Sequence, residues 1–315
     1  MSESDQIAPG AAYDARIDVR EVFRTLWAGK WVIGGITFAG IVISTTVALM
    51  LPNIYRADAL LAPNQEQNVG GLSALAAQYG GLASLAGINL ANESSDKTAL
   101  GLEILKSRKF ISEFIERHDI LVPLMAARGW DPGTGELEID GRVYDESASA
   151  WVRSAKAPRI STPSLQEAYE KFSDNNLSIT QNKKTGFISI SIEHLSPIVA
   201  KQWVDWLVQD INTTVMRQDV DEAEQAIAYL EEQINATALA DLQNVFFQLI
   251  EEQTKTVMLA KVTSEYLFRT IDPAVVPELK AKPRRAWIVA LGLFIGGAVG
   301  IFVVLIQSRS GRQRG

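Results

Sequence analysis

VIGGITFAGIVISTTVALML, residues 32–51, and WIVALGLFIGGAVGIFVVLI, residues 287–306, are two stretches without a charged side chain. A helix of about twenty residues, at about 1.5 Å per residue, crosses the roughly 30 Å of hydrocarbon in a bilayer. A single Lys or Arg at the centre of such a helix would cost about 3 kcal/mol. The two stretches therefore predict transmembrane helices, which we assign to residues 32–51 and 286–306.

A cleaved signal peptide is the alternative interpretation of the first stretch, because Ala57-Asp58-Ala59 matches a small-x-small cleavage site. About thirty mostly polar residues precede the stretch, however, and the apolar region of a signal peptide is shorter, at ~7 to 15 residues. We therefore expect the first stretch to remain in the protein as an anchor.

Basic residues next to the spans predict the orientation of the chain. Those before the first span and after the second are Arg16, Arg20, Arg24, Lys30, Arg309, Arg312 and Arg314. Both tails, residues 1–31 and 307–315, are therefore predicted to be cytoplasmic, and residues 52–285 to lie on the other side of the membrane.

A second basic group lies before the second span, on the predicted extracytoplasmic side. It consists of Lys280, Lys282, Arg284 and Arg285. Long loops cross a membrane largely regardless of their charge, so this group does not reverse the predicted orientation. We interpret it as a membrane-flanking anchor, with a specific lipid or glycan site as the alternative.

The composition excludes several classes of function. The chain has no cysteine, which rules out disulfides and thiolate metal sites. A net charge of −7 argues against a nucleic-acid partner, which would require a basic face. His118 and His194 are far apart in sequence and predict no metal site, and His194 is expected at the surface or in a turn.

Catalytic motifs are also absent from the sequence. We find no GxxxxGK[ST] phosphate loop, no GxGxxG, no nucleophile elbow and no HExxH. The chain is therefore predicted to have no catalytic residues, no cofactor and no metal, and not to be an enzyme.

Patterns between the spans alternate between strand and helix, which predicts a mixed α/β base domain. Residues 55–61 suggest a strand, and residues 95–117 a helix with one apolar face formed by Phe110, Ile111, Phe114 and Ile115. Residues 136–144 suggest a hairpin that turns at Asp140-Gly141 with φ > 0 at both positions.

Two further signals belong to the same domain. Ser164 and Glu167 form a capping box that opens a helix. Ile188, Ile190 and Ile192 alternate with polar residues, which predicts a strand with one buried face.

The longest helical signal begins at Ser196-Pro197, an N-cap followed by proline at the first helical position. Residues 198–272 contain neither glycine nor proline. We predict a helical region over about residues 197–271. The apolar spacing slips along it, notably around residues 235–237, so we expect one or two breaks. Unbroken, it would reach roughly 100 Å and could not fold back. Its apolar seam comprises Val204, Leu207, Ile211, Val215, Ile227, Leu230, Ile234, Leu242, Phe246 and Leu249.

Gly292, Gly296 and Gly300 form two consecutive GxxxG units in the second span. Three glycines on one helix face let another backbone approach closely, so we predict a helix contact there. Gly35 and Ala39 in the first span are the expected counterpart, either in the same subunit or in the next.

Pro273, Pro277 and Pro283 precede the second span. Proline fixes φ and lacks an N–H donor, so this Pro-rich segment, residues 272–285, is expected to end the long helix and to stiffen the approach to the membrane.

Residues 70–76 (GGLSALA) and 80–86 (GGLASLA) form an internal repeat. Two copies cannot build a solenoid. The alternatives are a mobile Gly/Ala-rich loop and a weakly amphipathic segment that packs on a neighbouring subunit.

Three stretches resemble the Wzz family of polysaccharide chain-length determinants, the polysaccharide co-polymerases. They are DPAVVPELKAKPRRA at 272–286, FFQLIEEQTKTVMLAKV at 246–262 and ISIEHLSPIVAKQWVDWLVQDIN at 190–212. The resemblance implies an α/β base near the bacterial inner membrane with a long helix reaching into the periplasm. It also implies a ring-shaped homo-oligomer. Some relatives carry a tyrosine kinase, whereas this chain, which ends soon after its second span and has no phosphate loop, is expected to be of the kinase-free type.

The function implied by this resemblance is non-enzymatic control of the length of O-antigen or a related glycan in lipopolysaccharide biosynthesis. The implied partners are a membrane polymerase, its lipid-linked glycan and further copies of the chain. Two alternatives share parts of this architecture: a two-span periplasmic sensor, which would need a cytoplasmic output module, and an export-channel adaptor, which would not need the second span.

Overall fold

The computed structural model describes residues 24, 26–64, 93–237 and 239–312, without the side chains of residues 93–96 and 308–312. The Gly/Ala-rich repeat at 70–86 and residues 1–23 lie outside the described part. The chain divides into two compact units: Pro52–Lys282, and the two terminal segments Met1–Leu51 and Pro283–Gly315.

Helices and strands alternate along the described part of the chain. In chain order they are α1 (Lys30–Met50), β1 (Tyr55–Pro63), α2 (Glu93–Lys106), α3 (Arg108–Arg117), α4 (Leu121–Met125), β2 (Ala127–Trp130), β3 (Leu137–Ile139), β4 (Tyr144–Asp145), β5 (Ala150–Trp151), α5 (Leu165–Lys171), a π-helical turn (Phe172–Asn176), β6 (Leu177–Gln181), β7 (Ile188–His194), α6 (Pro197–Ala236), α7 (Ala240–Val262), β8 (Phe268–Asp272) and α8 (Arg285–Arg312).

The central sheet of the unit Pro52–Lys282 has four antiparallel strands in the order β6-β7-β1-β8. In β1 and β7 the residue pairs Ala57↔Ile192, Ala59↔Ile190 and Leu61↔Ile188 are buried on one face. The predicted isoleucine strand is therefore confirmed. It pairs with β1, the strand nearest to the first apolar helix in sequence.

Helices cover the buried side of this sheet. The first half of α6 packs on β1 and β7 with Trp203, Val204, Leu207 and Ile211, all of them buried. The predicted apolar face of α3 is buried in the same core. Ser107 breaks the predicted helix 95–117 in two, because its side chain caps α3 by accepting the Phe110 N–H at 3.2 Å.

Both predicted helix starts are confirmed. Ser164 accepts the Glu167 N–H at 3.2 Å at the start of α5. Ser196 accepts the Val199 N–H at 3.4 Å, with Pro197 in the first turn of α6. These side chains satisfy N–H groups that have no partner within their own helices.

The long helical region is a hairpin of two helices, so the prediction that it cannot fold back was wrong. The predicted break near residues 235–237 is confirmed, because α6 ends at Ala236 and α7 begins at Ala240. At the turn, Gln243 donates to the carbonyls of Ile234 and Thr237 at 3.3 and 2.8 Å. Further along, Lys261 lies 4.0 Å from Glu224, so α7 runs antiparallel to α6.

The end of the helical region and part of its seam also differ from the prediction. Helix α7 ends at Val262, and Phe268–Asp272 form the edge strand β8. Phe246 is half-buried in the hairpin, whereas Leu242 and Leu249 are exposed. The chain reversal explains this, since it turns a different face of α7 towards α6.

The predicted hairpin at Asp140-Gly141 was also wrong. A tight turn is present, in which the Val143 N–H donates to the Asp140 carbonyl at 2.8 Å. Strand β3 pairs with β2, however, and β4 pairs with β5. The glycines with positive φ in the described residues are Gly135 and Gly186, not Gly141. Gly135 lies in the turn that joins β2 to β3, and a Cβ is disfavoured in that conformation.

The mixed α/β class with a long helix and two candidate membrane helices is confirmed.

Candidate functional site

The two apolar helices pack against each other within the unit formed by the terminal segments. Helices α1 and α8 are long and apolar enough to cross a membrane, and most of their apolar side chains are exposed on this chain. Trp31 and Trp287 lie near their first residues with exposed rings. Indole rings are enriched at the level of lipid headgroups, so both positions suit the ends of a span.

Glycines make the contact between these helices close. A Cβ placed on Gly296 would lie 3.0 Å from Thr37 Cα, and one on Gly300 would lie 3.0 Å from Ile33 Cα. A Cβ on Gly292 would overlap the Ser44 side chain. The structure thus brings all three GxxxG glycines of α8 against one face of α1.

The counterpart on α1 differs from the one expected. Gly35 and Ala39 are exposed, and a Cβ on Gly35 would have no atom within 4 Å. Gly40 lies in the contact instead, where a Cβ would be 2.9 Å from the Gly292 carbonyl oxygen. The small residues Thr37, Gly40 and Ser44, spaced by three and four, would have identified this face in the sequence.

The two chain ends of the unit Pro52–Lys282 are held side by side. The Ile54 N–H donates to the Lys282 carbonyl at 2.9 Å, and the Ala281 N–H donates to the Ile54 carbonyl at 2.8 Å. Ile54 comes three residues after Leu51, and Lys282 comes three residues before the first residue of α8. The segments that lead to the two apolar helices therefore begin next to each other.

Residues 273–284 of the Pro-rich segment contain no helix. Pro273 directly follows β8, and the neighbouring Ala274 is buried in the core. Pro277 lies in a stretch without regular secondary structure, and Pro283 separates the Lys282 bridge from α8. The three prolines thus follow a strand, not the long helix that they were expected to end.

The structure does not gather the four membrane-flanking basic residues into one site. Lys282 forms an ion pair with Glu193 on β7, and Arg285 Nε donates to the Ala48 carbonyl at 3.0 Å. Lys280 and Arg284 are exposed. Two of the four thus support local structure, and the other two present charge to the surroundings.

His194 is buried, so its expected surface position was wrong. Its Nδ1 accepts the Ser196 N–H at 3.1 Å, and its Nε2 lies 3.3 Å from the Pro123 carbonyl. Burial lowers the pKa of His194 to about 4, so the ring is neutral at pH 7 and links the end of β7 to the start of α6.

Lys171 and His194 line a small cavity of about 130 Å³ with Asn176. Burial lowers the pKa of Lys171.

His118 also has a structural role. Its Nε2 lies 3.0 Å from Asp210, which Arg117 contacts at 2.8 Å, and its ring stacks on Trp206 with centroids 4.2 Å apart. Among the described residues, no group of three His, Cys, Asp or Glu side chains could hold a metal ion. The histidines therefore join α3 and β7 to α6.

The second helix of the hairpin exposes several apolar side chains. Exposed apolar side chains on α7 are Leu242, Val245, Phe247, Leu249, Met258, Leu259 and Val262. Leu242, Val245 and Leu249 share one helix face by their spacing. Exposed apolar patches of this kind are typical of interaction surfaces.

Comparisons with known proteins identify two family models that match parts of the chain. A model of the Wzz chain length determinant protein matches residues 15–118, and GNVR, a G-rich domain described on tyrosine kinases, matches residues 240–309. No curated protein matches the chain. A full-length bacterial polysaccharide co-polymerase is similar in structure with 12% identity, 94% of this chain and 99% of that chain covered, and a TM-score of 0.41. A fragment of WzzB, a polysaccharide co-polymerase from Salmonella Typhimurium, is similar with 13% identity and a TM-score of 0.31. The match covers 73% of this chain and 100% of that chain.

The Wzz model covers α1, β1, α2 and α3, and the GNVR model covers α7, β8 and most of α8. The matched regions thus include both apolar helices and the two strands that stand closest to them in the chain. Residues 15–118 thus match the Wzz family of chain length determinant proteins, and residues 240–309 match the GNVR domain.

Proposed function

We propose that the chain is a non-enzymatic regulator of polysaccharide length that acts as a homo-oligomeric scaffold with a membrane polymerase and its lipid-linked glycan. The observation that carries this proposal is the match of the chain-length determinant model to residues 15–118, which include the first apolar helix and β1. O-antigen, or a related glycan of the cell surface, is the proposed product.

The proposed location is the bacterial inner membrane, with both tails in the cytoplasm and residues 52–285 in the periplasm. The length and composition of α1 and α8 support two spans. The Ile54–Lys282 pairing supports one extracytoplasmic body, because it places the entry and exit of the intervening unit next to each other. Neighbouring chain ends are compatible with two antiparallel spans.

The helical hairpin supports a scaffold made of several copies. Helix α6 has 40 residues, so its length is about 60 Å, and α7 exposes apolar side chains along its outer face. Lateral contacts of one kind between copies generate a ring when the rotation closes. Burial of this apolar surface would contribute roughly 25 cal/mol for each Å² removed from water.

Deletion of the gene, followed by electrophoresis of the surface polysaccharide, tests the regulatory role. The proposal predicts that the preferred chain length disappears while total polysaccharide is retained, and that the intact gene restores it. Loss of all polymer would instead indicate an enzyme or an export component. An unchanged length distribution would contradict any role in length control.

Mass measurement of the full chain in nanodiscs or mild detergent tests the oligomeric part. We expect several copies per particle, and we expect Phe247→Asp on the exposed side of α7 to reduce that number. Gln253→Asp, on the half-buried side of α7, serves as the control for general damage to the hairpin. A single copy in the unmodified protein would contradict the scaffold.

A further inference from the structure

The segment between β8 and α8 exposes apolar side chains that the fold leaves uncovered. Leu279 is 84% exposed and Val275 is 69% exposed, whereas Ala274 beside them is only 5% exposed. Val276 is also exposed. The segment is therefore anchored in the core at Ala274 and presents a short apolar surface immediately afterwards.

Chain connectivity limits how far this surface can lie from the second apolar helix. Leu279 precedes Arg285, the first residue of α8, by six positions. Six extended residues reach at most about 20 Å. If α8 crosses a bilayer, the apolar surface is held within that distance of the span.

The charges around this surface suit a lipid headgroup region. Lys280 and Arg284 are exposed, and both have long aliphatic stems that can lie along apolar surface while the charge stays in water. Asp272 and Glu278 are exposed as well and offset part of this charge. Amphipathic helices in the membrane interface combine apolar and basic side chains in the same way, and residues 275–280 present this combination from a non-helical segment.

We propose that residues 275–280 dock into the headgroup region of the bilayer, with Val275, Val276 and Leu279 at the acyl boundary and Lys280 at the level of the phosphates. The occupant of this surface is therefore lipid, not another protein. This inference rests on the proposed function in one respect, because it requires α8 to span a membrane. Docking there would tie β8, and through it the central sheet, to the membrane surface.

Single-cysteine labelling of the full chain tests the proposal cleanly, because the natural sequence has no cysteine. Leu279→Cys carries a fluorophore in nanodiscs of phosphatidylcholine and phosphatidylglycerol that contain lipids spin-labelled near the headgroup. We expect a marked loss of fluorescence relative to Tyr229→Cys. Tyr229 is an exposed control about 48 Å along α6 from Pro197.

A third variant separates this inference from the proposed function. Val299→Cys lies at an exposed position of α8 and should be quenched by lipids labelled in the acyl chain. Quenching at residue 299 without quenching at residue 279 would overturn the docking and leave the spans intact. No quenching at residue 299 would overturn the spans, and the docking with them.

An aqueous quencher distinguishes a protein partner. Leu279→Cys should be shielded from iodide compared with Tyr229→Cys, and this shielding should persist in nanodiscs that hold the chain without other proteins. Shielding from iodide without quenching by lipid labels would mean that another copy of the chain covers the surface, and it would overturn the proposal.

Discussion

Asn212, in the first half of α6, binds both main-chain polar groups of Phe268, the first residue of β8. The Phe268 N–H donates to Asn212 Oδ1 at 2.8 Å, and Asn212 Nδ2 donates to the Phe268 carbonyl at 3.1 Å. The same Oδ1 accepts the Leu267 N–H at 2.7 Å. Because β8 is an edge strand, a side-chain amide here takes the place of a neighbouring strand and fixes α6 to the sheet.

Asn212→Ala should destabilise the protein by roughly 2–4 kcal/mol. The Asn212 side chain is buried, and its removal leaves two N–H groups and one carbonyl without a hydrogen bond. Each unpaired buried group costs about 1–3 kcal/mol, and water or local relaxation restores part of this loss. Chemical unfolding in detergent, followed by tryptophan fluorescence, measures the loss. Thr213→Ala is the control, since Thr213 bonds only the Gln209 carbonyl of its own helix among the bonds described. Equal effects for both variants would contradict the role of Asn212.

Gly40→Leu and Gly296→Leu should separate α1 from α8 and shift or broaden the polysaccharide length distribution. A Cβ at either position already meets backbone atoms at about 3 Å, and backbone cannot move aside as a side-chain tip can. Gel electrophoresis of the surface polysaccharide is the measurement. Gly35→Leu is the control. Gly35 lies on α1, as Gly40 does, but a Cβ there has no atom within 4 Å, so this variant should leave the length distribution unchanged. Well-expressed variants with an unchanged ladder would exclude a role for this contact.

Spin labels at Glu224→Cys and Lys261→Cys should report a short distance. The two side chains lie 4.0 Å apart across the hairpin, whereas an unbroken helix would separate these positions by about 55 Å. Pulsed electron paramagnetic resonance measures both cases. The pair Lys201→Cys and Glu224→Cys lies on α6 alone and should give about 35 Å in either arrangement. A long distance for the first pair would show that the helices do not fold back.

Acid should weaken the fold through His194. The pKa of this ring falls from 6.5 to about 4 on folding, so below pH 6.5 the unfolded chain binds a proton that the native chain does not. The free energy of unfolding should therefore decrease by about 3 kcal/mol as the pH falls from 6.5 to 4, at about 1.4 kcal/mol per pH unit. Unfolding at several pH values measures this slope.

His194→Gln removes the titrating ring. The free energy of unfolding of this variant should depend less steeply on pH between 6.5 and 4, even if the variant is less stable at pH 7. The pKa of Glu167 is also lowered, chiefly by its hydrogen bonds to Arg153, and this carboxylate adds a loss at lower pH in both proteins. An identical slope in the variant would show that His194 does not cause the acid sensitivity.

Local signals predicted much of the fold. The helix caps at Ser164 and Ser196, the alternating isoleucines of β7 and the buried face of α3 depend on neighbours within a few residues, and the structure bears each of them out. The break between α6 and α7 was visible as a slip in the apolar spacing. The direction of the chain after the break was not visible, because a slip in the apolar spacing is compatible with a kinked helix as well as with a reversal of the chain.

Contacts between distant segments accounted for the errors. The Asp140-Gly141 turn was identified correctly as a turn, but the pairing of β3 with β2 depends on Gly135 and not on that turn. His194 is the last residue of β7, and it is covered by Pro123 from α4 and by the Trp203 ring from α6, whose centroid lies 4.7 Å from that of the imidazole. The face of α1 that meets α8 is set by Gly40, which no spacing rule applied to α8 alone would identify.

By itself, the sequence determined the two helices with uncharged central stretches, the mixed α/β unit that lies between them in the chain and the absence of known catalytic motifs, since these depend on composition and on spacing along one chain. Only the tertiary structure decided that the long helix folds back, that Asn212 binds Phe268, and that Ile54 and Lys282 pair beside each other. Each of these joins residues separated by tens to hundreds of positions, and their partners are selected by burial and hydrogen bonding in three dimensions, which local periodicity does not record.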